Sequence, residues 1–253
     1  MSQFNTILIT GASNGIGRAL AISLAKPGVF IAICGRRAAD LLAVAKTCKN
    51  KGADVLARAI DVTNQSAMRN WIETIDKNHP LELVIANAGV SNQTADKIDK
   101  SERSRRMIDI NISGVLNTVE PILPKMILRK YGTIALMSSL AGFSGMPSAP
   151  AYSASKAWVR SYGEGLRGSI YPSGVKVSVI CPGFVISNIT RHNNFFMPFI
   201  MSGEKAANVI VNGLKKNKAR IAFPFMLYTL MLLLAALPSH MACWLLRQLP
   251  RKE

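Results

Sequence analysis

The sequence predicts an α/β domain built on a doubly wound parallel sheet of about seven strands. Short apolar runs alternate with helical stretches from the N-terminus to about residue 220. Connections that each contain a helix are typical of parallel strands joined by right-handed crossovers. A glycine-rich turn directly after the first apolar run points the same way. With 253 residues, the chain is long enough to bury a complete core.

The individual elements follow from the same alternation. Strands are predicted at residues 7–9, 29–34, 55–60, 83–86, 133–137, 175–180 and 220–223. Helices are predicted from the glycine-rich turn to about 26, over 38–51 and 65–77, in a long stretch ending near 126, and from about 152. We assign residues 1–220 to this domain and 221–253 to an apolar, helical C-terminal extension flanked by basic residues.

The composition is strongly basic, with 31 lysines and arginines against 14 acidic residues and a formal net charge of +17. Such a charge attracts anions, including nucleic acids, phosphorylated cofactors and anionic membranes. We do not expect nucleic acid as a partner, because the sequence has no zinc-finger spacing, aromatic RNA-binding signature or basic recognition helix.

The four cysteines, Cys34, Cys48, Cys181 and Cys243, are scattered without a Cys-x-x-Cys pair. This pattern is typical of small buried side chains in a reducing compartment, and no metal site is expected. The chain runs from Met1 into the first strand without a charged leader or cleavage site, so a cytoplasmic location is predicted.

The glycine-rich turn joins the first strand to the first helix. Residues 10–17 read Thr-Gly-Ala-Ser-Asn-Gly-Ile-Gly. The first glycine allows a tight turn, the second lets the backbone approach a phosphate, and the third permits close helix–strand packing. In this Rossmann-like context the helix amino end faces a pyrophosphate, whereas the alternative is a plain turn. The residues expected to hold a dinucleotide here are Gly11, Ser13, Asn14, Gly15, Ile16 and Gly17.

The end of the second strand indicates which dinucleotide is bound. Gly35, Arg36 and Arg37 stand where an acidic residue would hold the ribose 2′-hydroxyl of NAD(H). Arginines can pair instead with a 2′-phosphate through charge-assisted, forked contacts. The alternative is that both arginines are simply exposed to solvent, but this does not explain why no acidic residue stands here. NADP(H) is therefore expected over NAD(H).

Two further strand ends carry residues that suit a cofactor. Asp61, followed by Val62, could accept a hydrogen bond from the adenine amine or belong to the start of the next helix. Asn87, Ala88 and Gly89 close the fourth strand with small side chains, which fits a backbone that lies against a cofactor.

Tyr152 and Lys156 are four residues apart, so in a helix their side chains share one face. An ammonium beside a phenol favours the phenolate, which makes the tyrosine a usable proton donor and acceptor. On its own, this spacing is more often an exposed helix face.

Taken together, the glycine-rich turn, Asn87-Ala88-Gly89, Asn111, Ser139, Tyr152-x-x-x-Lys156 and Pro182-Gly183 resemble the short-chain dehydrogenase/reductase family in its short, single-domain form. The resemblance covers about residues 4–220. It implies an NADP-binding oxidoreductase domain that assembles into dimers or tetramers.

The resemblance also implies a role for each catalytic residue. Tyr152 would be the acid and base, and Lys156 would lower the pKa of the phenol and bond the nicotinamide ribose. Ser139, 13 residues before the tyrosine as is usual in the family, would polarise the substrate carbonyl. Asn111 would hold a water that links Lys156 to solvent. Further cofactor contacts are implied for Asp61, Val62, Asn87, Ala88, Gly89, Pro182, Gly183 and Ser187.

The function expected from these residues is hydride transfer between NADPH and a small-molecule carbonyl or secondary alcohol. One alternative is an NAD-dependent alcohol dehydrogenase, against which Arg36 and Arg37 argue. The other is a non-catalytic dinucleotide-binding scaffold or sensor, against which the complete catalytic set argues.

Two apolar segments bear on the substrate and the location. Residues 188–202 lie where the family carries a mobile lid, and 195–201 read Phe-Phe-Met-Pro-Phe-Ile-Met. This predicts an entrance for a hydrophobic, lipid-like substrate or, alternatively, a segment packed on the core or a second subunit.

The stretch 221–237 is nearly all apolar, and 241–246 is a second apolar patch. Seventeen residues are at the lower edge of what a membrane-spanning helix needs, and basic residues such as Arg251 and Lys252 follow. We expect a helical hairpin, broken near Pro238, that lies on the inner face of an anionic membrane. The alternative is a helix pair that closes the substrate pocket or is buried in a dimer.

Overall fold

A computed structural model describes residues 4–91, 100–190 and 196–248. Seven parallel strands in this part of the chain form one sheet in the order β3-β2-β1-β4-β5-β6-β7, which confirms the predicted α/β fold. The strands are β1 (Thr6–Thr10), β2 (Phe30–Gly35), β3 (Asp54–Ala59), β4 (Leu83–Ala86), β5 (Thr133–Met137), β6 (Lys176–Pro182) and β7 (Arg220–Phe223).

Helices connect the strands and continue beyond the sheet. They are α1 (Gly15–Leu24), α2 (Ala38–Asn50), α3 (Gln65–Asn78), α4 (Lys100–Ile108), α5 (Gly114–Val119), α6 (Leu123–Leu128), α7 (Pro150–Ser169), α8 (Gly203–Lys215), α9 (Phe225–Ala236) and α10 (Ser239–Arg247).

Each face of the sheet is covered by its own helical layer, because successive strand residues point to opposite sides. In β1, Ile7 and Ile9 pack into one core with apolar residues of α1, α2 and α8. Leu8, between them, packs into the other core with residues of α3, α5 and α7. All three side chains are fully buried. Strands buried on both faces explain why the sequence shows continuous apolar runs rather than alternation.

The strand order reverses its direction between β1 and β4. From β1 the chain moves outward through β2 to β3, then returns to pair β4 with the other side of β1. At such a reversal the loops beyond the carboxyl ends of the two strands diverge and leave a crevice for a ligand.

One predicted helix is wrong in its extent. The stretch expected to run unbroken to about residue 126 is divided into α4, a π-helical turn at Asp109–Ser113, α5 and α6. Pro121 follows α5 and Pro124 lies in the first turn of α6, and a proline cannot donate the backbone hydrogen bond that an uninterrupted helix needs. In α7, Pro150 occupies the first turn, so the helix begins two residues before the predicted start.

The C-terminal extension forms the predicted pair of helices, with the break at Leu237–Pro238. Met231 of α9 packs into a small third core with Leu140, Val179 and Cys181. Across the described residues, we find no helix whose length and apolarity together would let it cross a bilayer. Arg251 and Lys252 lie outside the described residues.

The segment after β6 is partly described. A β-bridge joins Val185 to Met201, whose side chain packs on the core. Phe196, Phe199 and Ile200 are exposed. Residues 191–195, including Phe195 of the predicted lid, lie outside the described residues, so the lid stays a prediction.

Candidate active site

The structure brings Ser139, Tyr152 and Lys156 together beside the carboxyl end of β5. Ser139 is the N-cap of a 3₁₀ turn, Leu140–Gly142, where its Oγ accepts a hydrogen bond from Ala141 N at 3.1 Å. The same hydroxyl donates to Pro182 O, at the end of β6, at 3.4 Å. The hydroxyl also lies close enough to the phenol of Tyr152 to lower its pKa. The structure therefore places the serine predicted from its spacing beside the tyrosine.

Lys156 is held on both its backbone and its side chain. Its Nζ donates to Met137 O at 2.8 Å, and its carbonyl accepts from Ser138 Oγ at 2.7 Å. The residue is 4 % exposed, and burial lowers the pKa of the ammonium to about 8. Lys156 Nζ lies 5.9 Å from the centroid of the Tyr152 ring, on the shared helix face that the spacing predicts.

The pKa of Tyr152 differs from the expected direction. Burial raises it above the usual value for tyrosine, and the neighbouring Ser139 hydroxyl opposes that rise. We expected Lys156 to lower this pKa, but its Nζ is bonded to Met137 O rather than to the phenol oxygen. Desolvation of the phenolate therefore sets the direction of the pKa shift, and the phenol stays protonated at neutral pH.

Asn111 lies in the π-helical turn and is completely buried rather than facing solvent. Its Oδ1 accepts from Val90 N at 2.9 Å, and its Nδ2 donates to Val90 O and Ser155 Oγ, both at 3.0 Å. The side-chain amide of Asn111 thus both accepts from and donates to the backbone of Val90. Together with its bond to Ser155, this joins the segment after β4 to the start of α7.

Gly89 explains how Asn111 and Lys156 come close. A Cβ added at this glycine would lie 3.2 Å from both Asn111 Oδ1 and Lys156 Nζ. The asparagine and the lysine therefore flank the same backbone position, as the predicted relay requires. The water assigned to that relay stays a prediction.

The glycine-rich turn has the backbone that its sequence predicts. Gly11 and Gly15 have φ angles of +66° and +54°, which side chains other than glycine rarely adopt. A Cβ at Gly17 would lie 2.4 Å from Asn87 Nδ2 and 2.5 Å from Gly11 O. Glycine is therefore required at 17 by close approach, as the fingerprint reasoning proposed.

The helix that follows this turn presents its amino end without a side-chain cap. Asn14 is the N-cap of α1, but its Oδ1 accepts from Asn188 N at 3.1 Å instead of bonding α1. Backbone N–H groups in a first helical turn have no partner within the helix and favour an anion. This arrangement fits the pyrophosphate of a dinucleotide. Ile16 packs against the core, which anchors the turn.

Asn87 acts on the glycine-rich turn itself. Its Nδ2 donates to Thr10 O at 2.9 Å and to Gly11 O at 3.1 Å. Thr10 Oγ1 in return accepts from the backbone N–H groups of Asn87 and Ala88, both at 3.1 Å. Asn87, predicted as a cofactor contact, thus has both amide hydrogens bound to the backbone that cradles the cofactor. Ala88 lies directly against Gly11, whose added Cβ would be 2.7 Å from Ala88 Cα.

A cavity of about 430 Å³ lies where the adenosine half of the cofactor was predicted. Asp61 Oδ1 accepts from Thr63 N and Oγ1 at 3.0 and 2.9 Å, while Asn64 caps α3, so Asp61 both stabilises the local turn and faces the cavity. Val62 is buried and accepts from Asn117 Nδ2 at 2.8 Å. The lining residues are Arg36, Asp61, Thr63, Arg106, Asp109, Ile110 and Ser113.

The two predicted arginines lie in different settings. Arg36 is exposed and lines the cavity. Arg37 donates to Ser13 Oγ at 3.4 Å and pairs with Asp40 at 2.7 Å. Part of the charge of Arg37 is therefore already compensated, whereas Arg36 faces the space available to a phosphate.

The segment after β6 returns to the glycine-rich turn. Gly183 N donates to Phe223 O at 2.7 Å, which joins this segment to β7. Ser187 Oγ accepts from Ile189 N at 3.2 Å, and Ser187 Cβ would lie 2.9 Å from a Cβ added at Gly15. Ser187, predicted on the nicotinamide side, thus lies against Gly15, predicted on the phosphate side.

Several contributors were missed by the sequence reasoning. Ser138, taken as a neighbour at the strand end, holds the backbone of Lys156. Ser155 links Asn111 to Tyr152 O, to which its Oγ donates at 2.8 Å. Its place three residues after the tyrosine, on the buried face of α7, is a signal that could have identified it.

The comparisons with known proteins agree with this geometry. The profile of the family described as short chain dehydrogenase matches residues 5–196. The chain belongs to the short-chain dehydrogenase/reductase family. A protein from Myxococcus xanthus named as an uncharacterized oxidoreductase is 40% identical over 241 residues, covering 95% of this chain and 92% of the relative. The chain is therefore an NAD(P)-dependent oxidoreductase acting on CH–OH groups.

Solved structures share the fold at lower identity. A short-chain dehydrogenase from Sphingobium yanoikuyae in complex with NADPH has a TM-score of 0.80 and 22% identity, covering 98% of this chain and 97% of its own. A 3-oxoacyl-[acyl-carrier protein] reductase from Brucella melitensis with bound NAD has a TM-score of 0.73 and 24% identity, covering 87% of this chain and 90% of its own.

Proposed function

We propose that the protein is an NADPH-dependent reductase of hydrophobic ketones, with Ser139, Tyr152 and Lys156 as its catalytic residues and Asn111 as their link to solvent. The observation that carries the proposal is the grouping of Ser139, Tyr152 and Lys156 beside the carboxyl end of β5, together with a glycine-rich turn followed by an uncapped helix amino end. When bound, the dinucleotide supplies the hydride.

The protonation states of the site favour reduction. The raised pKa of Tyr152 keeps its phenol protonated, which is the form that donates a proton to a developing alkoxide. Ser139 Oγ holds Pro182 O through a long bond of 3.4 Å, so its proton can turn toward a carbonyl oxygen. The nearby ammonium of Lys156 stabilises the phenolate left after transfer.

The preference for NADP(H) is supported by the adenosine end of the site. Gly35, at the end of β2, is followed by Arg36, and no acidic side chain stands at 36 or 37 to bond a ribose 2′-hydroxyl. Arg36 and Arg106 line the same cavity, where a 2′-phosphate would meet two guanidinium groups.

A hydrophobic substrate is supported by the surroundings of Ser139. A Cβ added at Gly183 would lie 3.0 Å from Leu227 and 3.4 Å from Leu140, so leucines from α9 and the 3₁₀ turn border the segment predicted to approach the nicotinamide. The Brucella 3-oxoacyl-[acyl-carrier protein] reductase has the same fold. We also propose that the enzyme is a homodimer or homotetramer in the cytoplasm, peripheral on the inner face of the membrane.

The test is consumption of NADPH and of NADH with methyl ketones of increasing chain length. We expect turnover with NADPH to increase with chain length, and kcat/KM with NADH to be lower by about tenfold or more. Equal use of both cofactors would favour the NAD-dependent alternative. Tight NADPH binding without turnover of any ketone would favour the scaffold.

The variant Tyr152→Phe separates chemistry from binding. We expect kcat to fall by about 10²–10⁴-fold, because the acid is lost, while the Kd for NADPH stays unchanged. Tyr171→Phe is the matched control, since Tyr171 is 80% exposed on the surface. Full activity of Tyr152→Phe would refute the assignment.

A further inference from the structure

The helix α9 has an unusual exposed surface. Its sequence, Phe-Met-Leu-Tyr-Thr-Leu-Met-Leu-Leu-Leu-Ala-Ala, contains no charged residue. A helix that is apolar on all sides is normally buried on all sides. Here Met231 is buried against the protein, whereas Phe225, Met226, Leu230 and Leu233 are 77, 66, 53 and 63% exposed.

These four exposed residues lie on one face of α9. At 100° per residue, positions 225, 226, 230 and 233 fall within one side of the helix, opposite Met231. Thr229 is the polar residue on that side, and its hydroxyl donates to Phe225 O at 3.0 Å, so it is already satisfied within the helix. The outer face of α9 can therefore leave water without breaking a side-chain hydrogen bond.

The adjoining helix α10 extends this surface. Met241, Trp244 and Leu245 are exposed, while Ala242 and Leu246 face the protein. We call the exposed apolar residues of α9 and α10 the outer face. Scattered single exposed hydrophobic residues are common on protein surfaces, but a contiguous set on neighbouring helices indicates a binding surface.

Positive charges adjoin the outer face along the chain. Lys215, Lys216 and Lys218 are exposed immediately before β7, and Arg247 is exposed at the end of α10. The whole chain carries a formal charge of +17. A second copy on this face would bring together two chains that each carry this positive charge, whereas anionic phospholipid headgroups are complementary to it. The charge therefore selects a lipid surface as the occupant.

The inner side of α9 is fixed to the catalytic domain. Tyr228 Oη accepts from Arg220 Nη1 at 3.0 Å, and Arg220 Nε donates to Glu164 of α7 at 2.9 Å. Arg160 also pairs with Glu164, at 3.4 Å, and donates to Gly142 O at 3.3 Å. The chain of contacts runs from α9 to the 3₁₀ turn that begins at Ser139. Within the described part of the chain, the outer face is thus the exposed side of a helix whose inner side is bonded to the catalytic domain.

We propose that the outer face of α9 and α10 is a docking surface for an anionic phospholipid bilayer, which delivers the ketone to the active site. The proposal rests on the proposed reductase function, because it names the source of that substrate. Helices of 12 and 9 residues reach about 18 and 14 Å, which is too short to span a hydrocarbon core of about 30 Å. They lie in the interface, and the inner side of α9 packs against Leu140 in the 3₁₀ turn that follows Ser139.

The test compares binding of the full chain to vesicles of phosphatidylglycerol with phosphatidylcholine and to vesicles of phosphatidylcholine alone, by co-sedimentation. We expect binding to the anionic vesicles that weakens with added salt. The double variant Leu230→Glu/Leu233→Glu should bind more than about tenfold more weakly, because two leucines no longer enter the interface. Leu42→Glu/Leu128→Glu, at exposed leucines of α2 and α6, is the matched control and should bind as wild type does.

Activity distinguishes this proposal from the reductase function on which it rests. For a long-chain methyl ketone dissolved in the anionic vesicles, kcat/KM should fall by about tenfold in Leu230→Glu/Leu233→Glu. For a water-soluble ketone without vesicles it should stay unchanged, which also shows that the variant folds. Ketone reduction without vesicle binding would overturn only the docking proposal. Vesicle binding without reduction of any ketone would overturn the reductase function.

Two other outcomes would also overturn the docking proposal. One is equal binding of both double variants to the anionic vesicles. The other is dissociation of an oligomer by Leu230→Glu/Leu233→Glu in sedimentation velocity while the wild type fails to bind vesicles, which would assign the outer face to a second copy.

Discussion

The two ends of the cofactor crevice are built in opposite ways. At the catalytic end, Asn111 and Lys156 are 0 and 4% exposed, and their side chains are bonded to protein atoms. At the adenosine end, Arg36 is exposed, and the pair between Arg37 and Asp40 leaves about half of each side chain in solvent.

This difference means that the catalytic end fixes the geometry of the reacting groups, whereas the adenosine end determines which cofactor is preferred. A buried polar group that loses its partner costs its full desolvation, so the catalytic end tolerates little change. An exposed charge is screened by salt and contributes little to folding, so the adenosine end can change its cofactor without loss of stability. Variants at the catalytic end should therefore change the stability of the protein, whereas variants at the adenosine end should change its affinity for the cofactor.

The largest effect is expected for Asn111→Leu. The substitution leaves Val90 N and Val90 O without their partners, so the free energy of unfolding should fall by about 2–6 kcal/mol, measured by urea denaturation. Asn117→Leu is the control, because Asn117 makes one bond of this kind, to Val62 O. Equal losses of unfolding free energy in Asn111→Leu and Asn117→Leu would contradict the larger stabilising role assigned to Asn111.

The second effect is a pH dependence of stability caused by Lys156. Its pKa is about 8 in the folded protein against 10.5 when unperturbed, so between these values the unfolded chain binds more protons. The stability that Lys156 contributes is present above pH 10.5 and is lost as the pH falls through 8. Relative to Lys156→Met, the wild type should therefore gain up to about 3 kcal/mol from pH 8 to 10.5.

Denaturation of the protein without added dinucleotide, at several pH values, measures this difference. Lys46→Met is the control, because Lys46 is exposed on α2 and stays in water in both states. A difference between wild type and Lys156→Met that is independent of pH would show that the ammonium is not desolvated.

The smallest effect is expected at the adenosine end. Arg36→Ser should raise the KM for NADPH by about tenfold through loss of a charge-assisted contact, and leave the KM for NADH and the stability unchanged. The increase should diminish at high salt. Arg69→Ser, at an exposed arginine of α3, is the control. An equal increase for both cofactors would show that Arg36 does not select the phosphate.

Much of the fold followed from local patterns. The seven strands could be predicted because strands buried on both faces are continuous apolar runs in the sequence. The glycine-rich turn could be predicted because the positive φ angles at positions 11 and 15 favour glycine, which is visible in the sequence. The proximity of Ser139 to Tyr152 could be predicted from the family resemblance, which specifies a spacing of 13 residues. The division of the stretch 100–128 was missed, although its two prolines could have indicated it.

Other features depend on contacts between distant segments and are not visible in a pattern. The pKa of Tyr152 is set by burial, which a spacing of four residues does not encode. The hydrogen bonds of Asn87 to Thr10 and Gly11 join residues more than 70 positions apart. The cavity residue Arg106 belongs to a polar stretch that carries no recognisable motif.

The carboxylate of Glu164 connects the catalytic turn to the C-terminal helices. It bonds Arg160 within α7 and Arg220 of β7, which in turn bonds Tyr228 of α9. The family profile ends at residue 196, before both Arg220 and Tyr228. The support behind the catalytic turn therefore comes partly from residues beyond the span that the family profile matches. A change at Tyr228 or Arg220 can reach the catalytic turn through Glu164 while every signature residue stays the same.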